Sequence, residues 1–364
     1  MITISLCMIV KNEEDSLSRC LDSVKDLVDE INIIDTGSTD GTVELAKKYT
    51  DRIFHFEWID DFSAARNFAF TKATQEYILH LDADDFLLEI DRERLRTLKE
   101  TLDPAVDSVT MKYHTAFDEY DNPIMSFRRN RMVKRSNNFQ WYGAVHEYLS
   151  VWGKIIDSDV AVTHKKIHQN EGYSTRNLRI YEKKLERGEE FTIRDLYYYA
   201  NELRDHSFHE KAIEYYIKML DSKQGWIEDE INACYKIAEC YLALGNKEKE
   251  LEYAIKAFTY DTPRAEACCR IGHIFFTRKE YLKAIFWYDL ATKVKKPDTW
   301  GFFTEACWTW LPHIQLCVCY NRIGQNEKAY EHNEEVGKYR PKDPKYLFNK
   351  ELLEGLINKE DSGN

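Results

Sequence analysis

The stretch YILHLDADD, residues 77–85, decides the fold class, because a short apolar run ends there in a cluster of acidic side chains. A run of this length is typical of a buried strand. Similar apolar runs precede it at residues 2–10, 30–34 and 52–56, and amphipathic stretches lie between the runs at 14–27, 43–49 and 63–73. This alternation predicts an α/β domain with a mostly parallel sheet covered by helices.

Polar clusters follow the second and the fourth predicted strand. The first cluster is DTGSTDGT, residues 35–42, and the second is DADD, residues 82–85. Ligands of open α/β sheets bind at the carboxyl ends of the strands. Asp82 and Asp84 form a D-x-D motif, and two carboxylates at a sheet edge suit a hard cation such as Mg²⁺ or Mn²⁺. Acidic turns after strands are also common as solvated loops, so this motif alone does not establish a site.

Four motifs occur in a fixed order and add weight to the D-x-D motif. They are NEE at residues 12–14, the 35–42 cluster, DFSAARN at residues 61–67, and DAD at residues 82–84. This series resembles the family-two glycosyltransferases, which have a GT-A fold, and the resemblance covers roughly the first 170 residues. It implies a nucleotide-sugar donor, with a UDP-linked hexose such as glucose favoured, and transfer with inversion at the anomeric carbon.

The resemblance also assigns roles to individual residues. It implies that Asp35 contacts the nucleotide base and that Arg66 approaches the nucleotide. It further implies that Asp82 lies near the ribose and that Asp84 binds the metal. Each of these residues also has a purely structural interpretation. Asp35 could cap a turn in which Gly37 and Gly41 permit a positive φ, and Arg66 could form a surface salt bridge with Asp60 or Asp61.

A second set of motifs lies further along the chain: WYGAVHE at residues 141–147, VTH at 162–164, EGY at 171–173, and Arg176 with Asn177. This set is similar to the subgroup of family-two enzymes that includes the bacteriocin S-glycosyltransferases, and it also resembles lipopolysaccharide-core glucosyltransferases. In the subgroup a downstream histidine completes the metal site, and His164 is the matching position. A neutral imidazole is a competent ligand beside a carboxylate. Two alternatives are open. His168 could be the ligand instead, or His164 could be a strand-end histidine held only by hydrogen bonds.

The catalytic base is less clear from the sequence than the metal site. Many family members use an aspartate from a Glu-Asp pair, whereas the comparable region here offers His146 and Glu147. Glu147 is the first candidate for the base, and His146 is the second. A cysteine thiol acceptor would need little help from a base, because its reference pKa of about 8.5 leaves some thiolate near neutrality. An alcohol acceptor would need more.

From about residue 195 the chain changes to helices rich in Tyr, Ala and Leu. Positions 238, 241, 245, 254 and 257 recur 34 residues later as Gly272, Phe275, Lys279, Tyr288 and Ala291. This period, with small residues where paired helices cross, predicts tetratricopeptide repeats. An earlier copy lies 38 residues before the copy at 238–257, and a later copy lies 45 residues after the copy at 272–291. About four repeats are therefore expected, with irregular outer ones.

Composition limits the remaining possibilities. The net charge of −12 and the lack of a Lys/Arg block argue against nucleic acid as a partner. The nine cysteines are an odd count without zinc-type spacing, which favours reduced thiols in a cytoplasmic protein. The first residues predict a strand, so neither a signal peptide nor a membrane span is expected.

The sequence therefore predicts a GT-A catalytic domain over residues 1–190 and a helical repeat domain over 191–364, which binds the acceptor or forms a homodimer. The favoured acceptor is a peptide or protein side chain, Cys or Ser/Thr, and the alternative is a cell-surface glycan or lipopolysaccharide core. A non-catalytic repeat scaffold with a degenerate transferase domain is the interpretation from another class. The aromatic stretch 300–310 is a candidate contact surface, for a partner or a second copy, or a loop packed on the last helices.

Overall fold

The chain forms two compact units, Met1–Glu190 and Phe191–Asn364. The computed structural model describes residues 1–119, 121, 123–165, 174–297, 299 and 303–362. Across these described residues, no helix combines the length and the apolar character that crossing a lipid bilayer requires.

The first unit contains a mixed sheet with the strand order β3-β2-β1-β4-β7-β6-β10-β5. Its strands are β1 (Ile4–Val10), β2 (Glu30–Asp35), β3 (Ile53–His55), β4 (Tyr77–His80), β5 (Asp85–Phe86), β6 (Ser108–Phe117), β7 (Pro123–Lys134) and β10 (Ile155–His164). A separate hairpin consists of β8 (Gln140–Tyr142) and β9 (Tyr148–Ser150). The first four strands pair in parallel, as the sequence predicts. Strand β7 pairs antiparallel with both β4 and β6, which makes the sheet mixed.

The helices of this unit are α1 (Leu17–Val24), α2 (Thr42–Ala46), α3 (Phe62–Lys72), α4 (Glu89–Thr101) and α5 (Arg176–Glu186), with a 3₁₀ turn at Arg135–Asn137. Helix α1 is shorter than the predicted 14–27, because the residues before it are tied to the loop after β2. The backbone N–H of Glu13 donates to Thr42 Oγ1 at 2.7 Å, and Glu14 Oε2 accepts from the Gly41 N–H at 2.6 Å.

Apolar side chains cover both faces of the sheet. On one face Ile4, Leu6 and Met8 of β1 are fully buried in a cluster that includes residues of α1. On the other face Cys7 belongs to a second cluster with residues of α3 and the β8–β9 hairpin. A strand buried on both faces is a nearly continuous apolar run, which explains why the sequence of β1 indicates a strand so clearly.

The second unit is helical, and four pairs of consecutive helices pack on each other: α6 with α7, α8 with α9, α10 with α11, and α13 with α14. The helices are α6 (Ile193–Asp205), α7 (His209–Ser222), α8 (Ile227–Ala243), α9 (Lys247–Lys256), α10 (Ala265–Thr277), α11 (Tyr281–Ala291), α12 (Glu305–Trp308), α13 (Trp310–Arg322), α14 (Asn326–Tyr339) and α15 (Pro344–Ser362). A 3₁₀ turn at Ala257–Thr259 and a short strand at Phe303–Thr304 complete the unit. The described part thus has the helix pairs that the repeat pattern predicts.

The connection between the two helices of a pair has the same form in all four helix pairs. Each pair is joined by three residues, and the middle one has a positive φ: Ser207 (64°), Gly245 (75°), Lys279 (61°) and Gly324 (76°). These positions are separated by 38, 34 and 45 residues, which are the offsets found in the sequence. Glycine occupies this left-handed position in two of the helix pairs, and lysine occupies it in a third. Lysine pays a conformational cost there that glycine avoids.

Gly272 in α10 lies directly against a tyrosine of its partner helix α11. A Cβ atom at this position would lie 2.9–3.0 Å from ring atoms of Tyr288 in α11. The Tyr288 side chain is itself almost completely buried, so it has little room to move away. The small residue that the repeat pattern places at this crossing is thus required by contact distance.

Gly272→Ala is expected to destabilise the protein by about 1–3 kcal/mol, because the added methyl group overpacks a filled contact. Gly355→Ala in α15 is the matched control, since no atom lies within 4 Å of a Cβ there. Because alanine favours a helix over glycine, this control should gain about 0.5–1 kcal/mol. Thermal unfolding followed by circular dichroism measures both changes, and a shift of both variants in the same direction would contradict the contact.

Candidate active site

Three aspartates lie in the turn that follows β4. The backbone N–H of Asp82 donates to Asp85 Oδ2 at 3.0 Å, and the Asp85 N–H donates to the Asp82 carbonyl at 3.0 Å. These two hydrogen bonds close the turn and place the side chains of Asp82, Asp84 and Asp85 around it. Asp85 also begins β5, which pairs antiparallel with the last residues of β10. That pairing brings His164, 79 residues later in the chain, to the same point.

Asp84, Asp85 and His164 form a cluster that could hold a metal ion, with one potential ligand atom from each within 4.8 Å of the others. His164 Nδ1 lies 3.2 Å from Asp84 Oδ1 and 3.2 Å from Asp85 Oδ1. Ligand atoms on adjacent corners of an octahedral Mg²⁺ site are about 3 Å apart, given bonds of about 2.1 Å. Two carboxylates and an imidazole also suit Mn²⁺, so the residues fit the predicted divalent cation.

The structure brings together the two residues that the sequence proposes as metal ligands, Asp84 and His164. The sequence analysis missed Asp85, although the acidic run 82–85 was the signal that could have included it. His168 and the EGY motif at 171–173 lie outside the described residues.

The protonation of His164 reflects its acidic neighbours. Burial alone would lower the pKa of the imidazole, but hydrogen bonds with Asp84 and Asp85 raise it to about 9. A cation that binds through His164 must displace this proton, because metal ligation uses the neutral imidazole.

Arg66 of α3 occupies a buried position between two carboxylates. Its Nη2 donates to Asp82 Oδ1 at 2.7 Å, and its Nε donates to Glu147 Oε1 at 2.6 Å. The guanidinium also lies over the Trp141 ring, 4.9 Å from the centroid. Burial alone would raise the pKa of Asp82, but Arg66, assisted by two further arginines, holds this pKa well below its ordinary value. Asp82 is therefore a fixed anion.

The surface salt bridge considered for Arg66 is absent, and its proposed partners have other roles. Asp61 caps α3 by accepting from the Ala64 N–H at 3.0 Å. Asp60 has a positive φ and forms an ion pair with Lys183 of α5.

Asp35 ends β2 and caps the turn after it. Its Oδ1 accepts from the Ser38 N–H at 3.0 Å and its Oδ2 from the Gly37 N–H at 3.2 Å. Gly37 has the expected positive φ of 99°, whereas Gly41 has a φ of −75° and serves instead for close contact with Glu14. Asp35 also borders a cavity of about 450 Å³, whose lining further includes Val43, Lys47, Asp51, Ile53, Phe54 and His55.

His146 and Glu147 lie in the turn of the β8–β9 hairpin, which is fastened to α3. The Asn67 side chain bonds both the N–H and the carbonyl of Trp141, at 2.8 and 3.0 Å. At the tip, the Ala144 carbonyl accepts from the Phe62 N–H at 2.9 Å. The turn contains two residues with positive φ, Gly143 and His146. Beside it, Tyr142 and Tyr148 form an exposed cross-strand pair, with ring centroids 5.9 Å apart.

Each of the two units contains a segment that matches a known protein family. Residues 5–153 match the sequence model of Glycosyl transferase family 2, and residues 231–262 and 265–298 match the tetratricopeptide repeat. The chain thus carries a family-two glycosyltransferase domain followed by tetratricopeptide repeats, which confirms the resemblance and the fold class drawn from the sequence.

Two curated relatives and one solved structure illustrate the matches. The SPbeta prophage-derived glycosyltransferase SunS of Bacillus subtilis is 31% identical over 180 residues, which are 49% of this chain and 42% of SunS. A TPR repeat-containing protein of Synechococcus elongatus is 52% identical over 88 residues, 24% of this chain and 22% of that protein. The chain therefore spans less than half the length of these curated relatives. YrrB, described as a TPR protein with an unusual peptide-binding site, gives a TM-score of 0.37 at 17% identity, covering 49% of this chain and 84% of YrrB.

His164→Ala is expected to weaken Mn²⁺ binding at least about tenfold, equivalent to about 1.4 kcal/mol, because it removes an imidazole that lies against Asp84. His168→Ala serves as the comparison and should leave Mn²⁺ affinity unchanged. Titration of Mn²⁺ in the presence of UDP, followed by electron paramagnetic resonance of the free ion, measures both affinities. Loss of Mn²⁺ binding in the His168 variant alone would reverse the assignment.

Proposed function

We propose that this protein is an inverting, metal-dependent glycosyltransferase that moves a hexose from a nucleotide sugar to a peptide or protein side chain. A UDP-linked sugar such as UDP-glucose is the proposed donor, and Mg²⁺ or Mn²⁺ the proposed cofactor. The observation that carries the proposal is the cluster of Asp84, Asp85 and His164, which lies beside the Arg66–Asp82 pair. Both aspartates of the cluster lie within the family-two segment, residues 5–153.

The donor would bind along the carboxyl ends of β1, β2 and β4. In this arrangement Asp35 contacts the base through lone pairs that its turn leaves available, since each carboxylate oxygen can accept more than one hydrogen bond. Asp82, held ionised and oriented by Arg66, accepts from a ribose hydroxyl. Asp84 and His164 would hold the cation, and a cation held there would stabilise the negative charge on the leaving diphosphate.

The acceptor must lose a proton while it attacks the anomeric carbon from the side opposite the diphosphate. We propose Glu147 as the base and keep His146 as the second candidate. Both lie in one hairpin turn that is fixed to α3. Glu147 has a second task, because its ion pair with Arg66 orients the same guanidinium that holds Asp82. A thiol acceptor would depend less on either residue than an alcohol would.

The repeats support a peptide or protein acceptor, since solenoids of this kind present concave surfaces to extended chains. A cell-surface glycan or lipopolysaccharide core is the second candidate acceptor. The nine buried free thiols favour a reducing compartment, in line with the proposed cytoplasmic location. The proposed contact surface at 300–310 includes Trp300–Phe302, outside the described residues, so homodimer formation there stays a prediction.

Donor binding and metal-dependent hydrolysis test the proposal against a non-catalytic scaffold. A panel of nucleotide sugars with and without Mn²⁺ should raise the unfolding temperature for one donor selectively, because a ligand stabilises the fold by mass action. Asp84→Ala should abolish the Mn²⁺-dependent stabilisation and lower turnover about a thousandfold, roughly 4 kcal/mol of barrier. Asp159→Ala, at an exposed acid on β10, is the control. A chain that neither binds nor hydrolyses any donor would support the scaffold.

Glu147→Gln distinguishes the two tasks of Glu147. The glutamine carbonyl can still accept from Arg66 but is not a base, so turnover on a hydroxyl acceptor should fall by about 10²–10⁴ with donor affinity nearly unchanged. The loss should be smaller for a thiol acceptor and should shrink as pH rises toward the thiol pKa. Steady-state kinetics with each acceptor measures these effects. Weaker donor binding with normal turnover at saturation would instead make Glu147 an orienting residue and His146 the base to test.

A further inference from the structure

Asp85 differs from its neighbours in the acidic turn because both oxygens of its carboxylate already have partners within the protein. Oδ1 accepts from the Tyr113 hydroxyl at 2.9 Å and lies 3.2 Å from His164 Nδ1. Oδ2 accepts from the Asp82 N–H at 3.0 Å and lies 3.0 Å from Arg131 Nη2. A carboxylate has about four lone-pair directions; the Tyr113 hydroxyl, the Asp82 N–H and His164 Nδ1 engage three of them, and Arg131 adds a counter-charge.

Burial separates Asp85 from the other two members of the cluster. Its side chain is 0% exposed, whereas those of Asp84 and His164 are 18% and 23% exposed. A cation arriving from solvent therefore meets Asp84 and His164 first.

Arg131 of β7 is the buried counter-charge of Asp85, and its side chain is also 0% exposed. The 3.0 Å contact with Asp85 is an ion pair without hydrogen-bond alignment. The guanidinium lies over the Tyr113 ring, 4.3 Å from the centroid, and its Nη1 donates to the His80 carbonyl at 3.3 Å. Tyr113 of β6 and Arg131 of β7 thus enclose Asp85 from two adjacent strands.

The two arginines also determine which carboxylate of the turn is left for a cation. Arg66 neutralises Asp82, and Arg131 neutralises Asp85. Within the described residues, the Asp84 side chain forms its ion pair with His164, at 3.2 Å. Like charges in one turn repel each other, so both pairings are needed before the three aspartates can share it.

We propose that Asp85, Tyr113 and Arg131 are positioning residues that hold His164 against Asp84, and that Asp85 itself is not a metal ligand. A carboxylate can orient a metal-binding histidine by accepting from the ring nitrogen that does not bind the metal, and its loss costs about 10–100-fold in metal affinity. In this arrangement Nδ1 of His164 stays with Asp85, and the cation would bind through Nε2. The inference rests on the proposed metal-dependent function and concerns the assembly of its cation site.

The first test measures Mn²⁺ affinity of the full chain at saturating UDP, by electron paramagnetic resonance. Tyr113→Phe removes one hydroxyl from the network, and Arg131→Lys keeps the charge but changes its shape. Both should raise the dissociation constant for Mn²⁺ about 10–100-fold. Arg264→Met breaks a buried ion pair of the second unit, with Glu228 at 2.6 Å, and is the control for a general loss of stability. Its Mn²⁺ affinity should not change.

The second test asks whether Asp85 ligates, by pulsed measurement of the nitrogen coupling and the number of waters on bound Mn²⁺. The double variant Asp85→Leu/Arg131→Met removes both charges of the buried pair, which proteins tolerate better than the loss of one. If Asp85 positions His164, any added water accompanies loss of the histidine nitrogen signal.

Two results would overturn the inference: an added water with the nitrogen signal intact, or unchanged Mn²⁺ affinity in both Tyr113→Phe and Arg131→Lys. Mn²⁺ binding without hydrolysis of any nucleotide sugar would reject the proposed function alone. An unaltered chain that binds no Mn²⁺ would reject the cation site as well.

Discussion

The burial of two arginines beside one acidic turn is the constraint on which the rest of the site depends. Three aspartates within four residues repel one another, and burying them would be prohibitively unfavourable without counter-charges. Arg66 from α3 and Arg131 from β7 supply those charges at 2.7 and 3.0 Å. Because the two arginines come from different elements, the turn can form only when helix and strand are both in place.

This dependence links the sheet to the chemistry. Strand β7 runs antiparallel between β4 and β6, so residues of β6 and β7 lie directly beside the end of β4. The short strand β5 then returns against β10 and brings His164 to the turn. Helix α3 in turn holds the β8–β9 hairpin, through Asn67 and through the pairing of Arg66 with Glu147. The residues proposed to bind the donor and those proposed to face the acceptor therefore share one helix as their support.

Much of the fold could be predicted because it depends on local pattern. The four parallel strands are apolar runs. The repeats are recognisable by their period, even where Lys279 stands at the position that is glycine in two other repeats. The motifs also selected Asp84 and His164, which the structure brings together. The sequence could not predict which charged residues pair across long stretches of chain. Glu147 lies 81 residues from Arg66, and no local pattern links Arg131 to Asp85. The start of α1 was misplaced for the same reason, since contacts with the loop after β2 determine it.

The uniform three-residue turn inside each helix pair has a consequence for how this unit can change in length. Variation in repeat spacing therefore lies in the helices and in the connections between pairs. Helix α8 has 17 residues and α10 has 13, and four residues separate α7 from α8, whereas thirteen separate α11 from α12. Added loop residues are best accommodated in the connections that join one hairpin to the next, where they leave the packing within a pair untouched. An engineer seeking a position for a reporter domain, or a lineage acquiring a new loop, would find it in the same place.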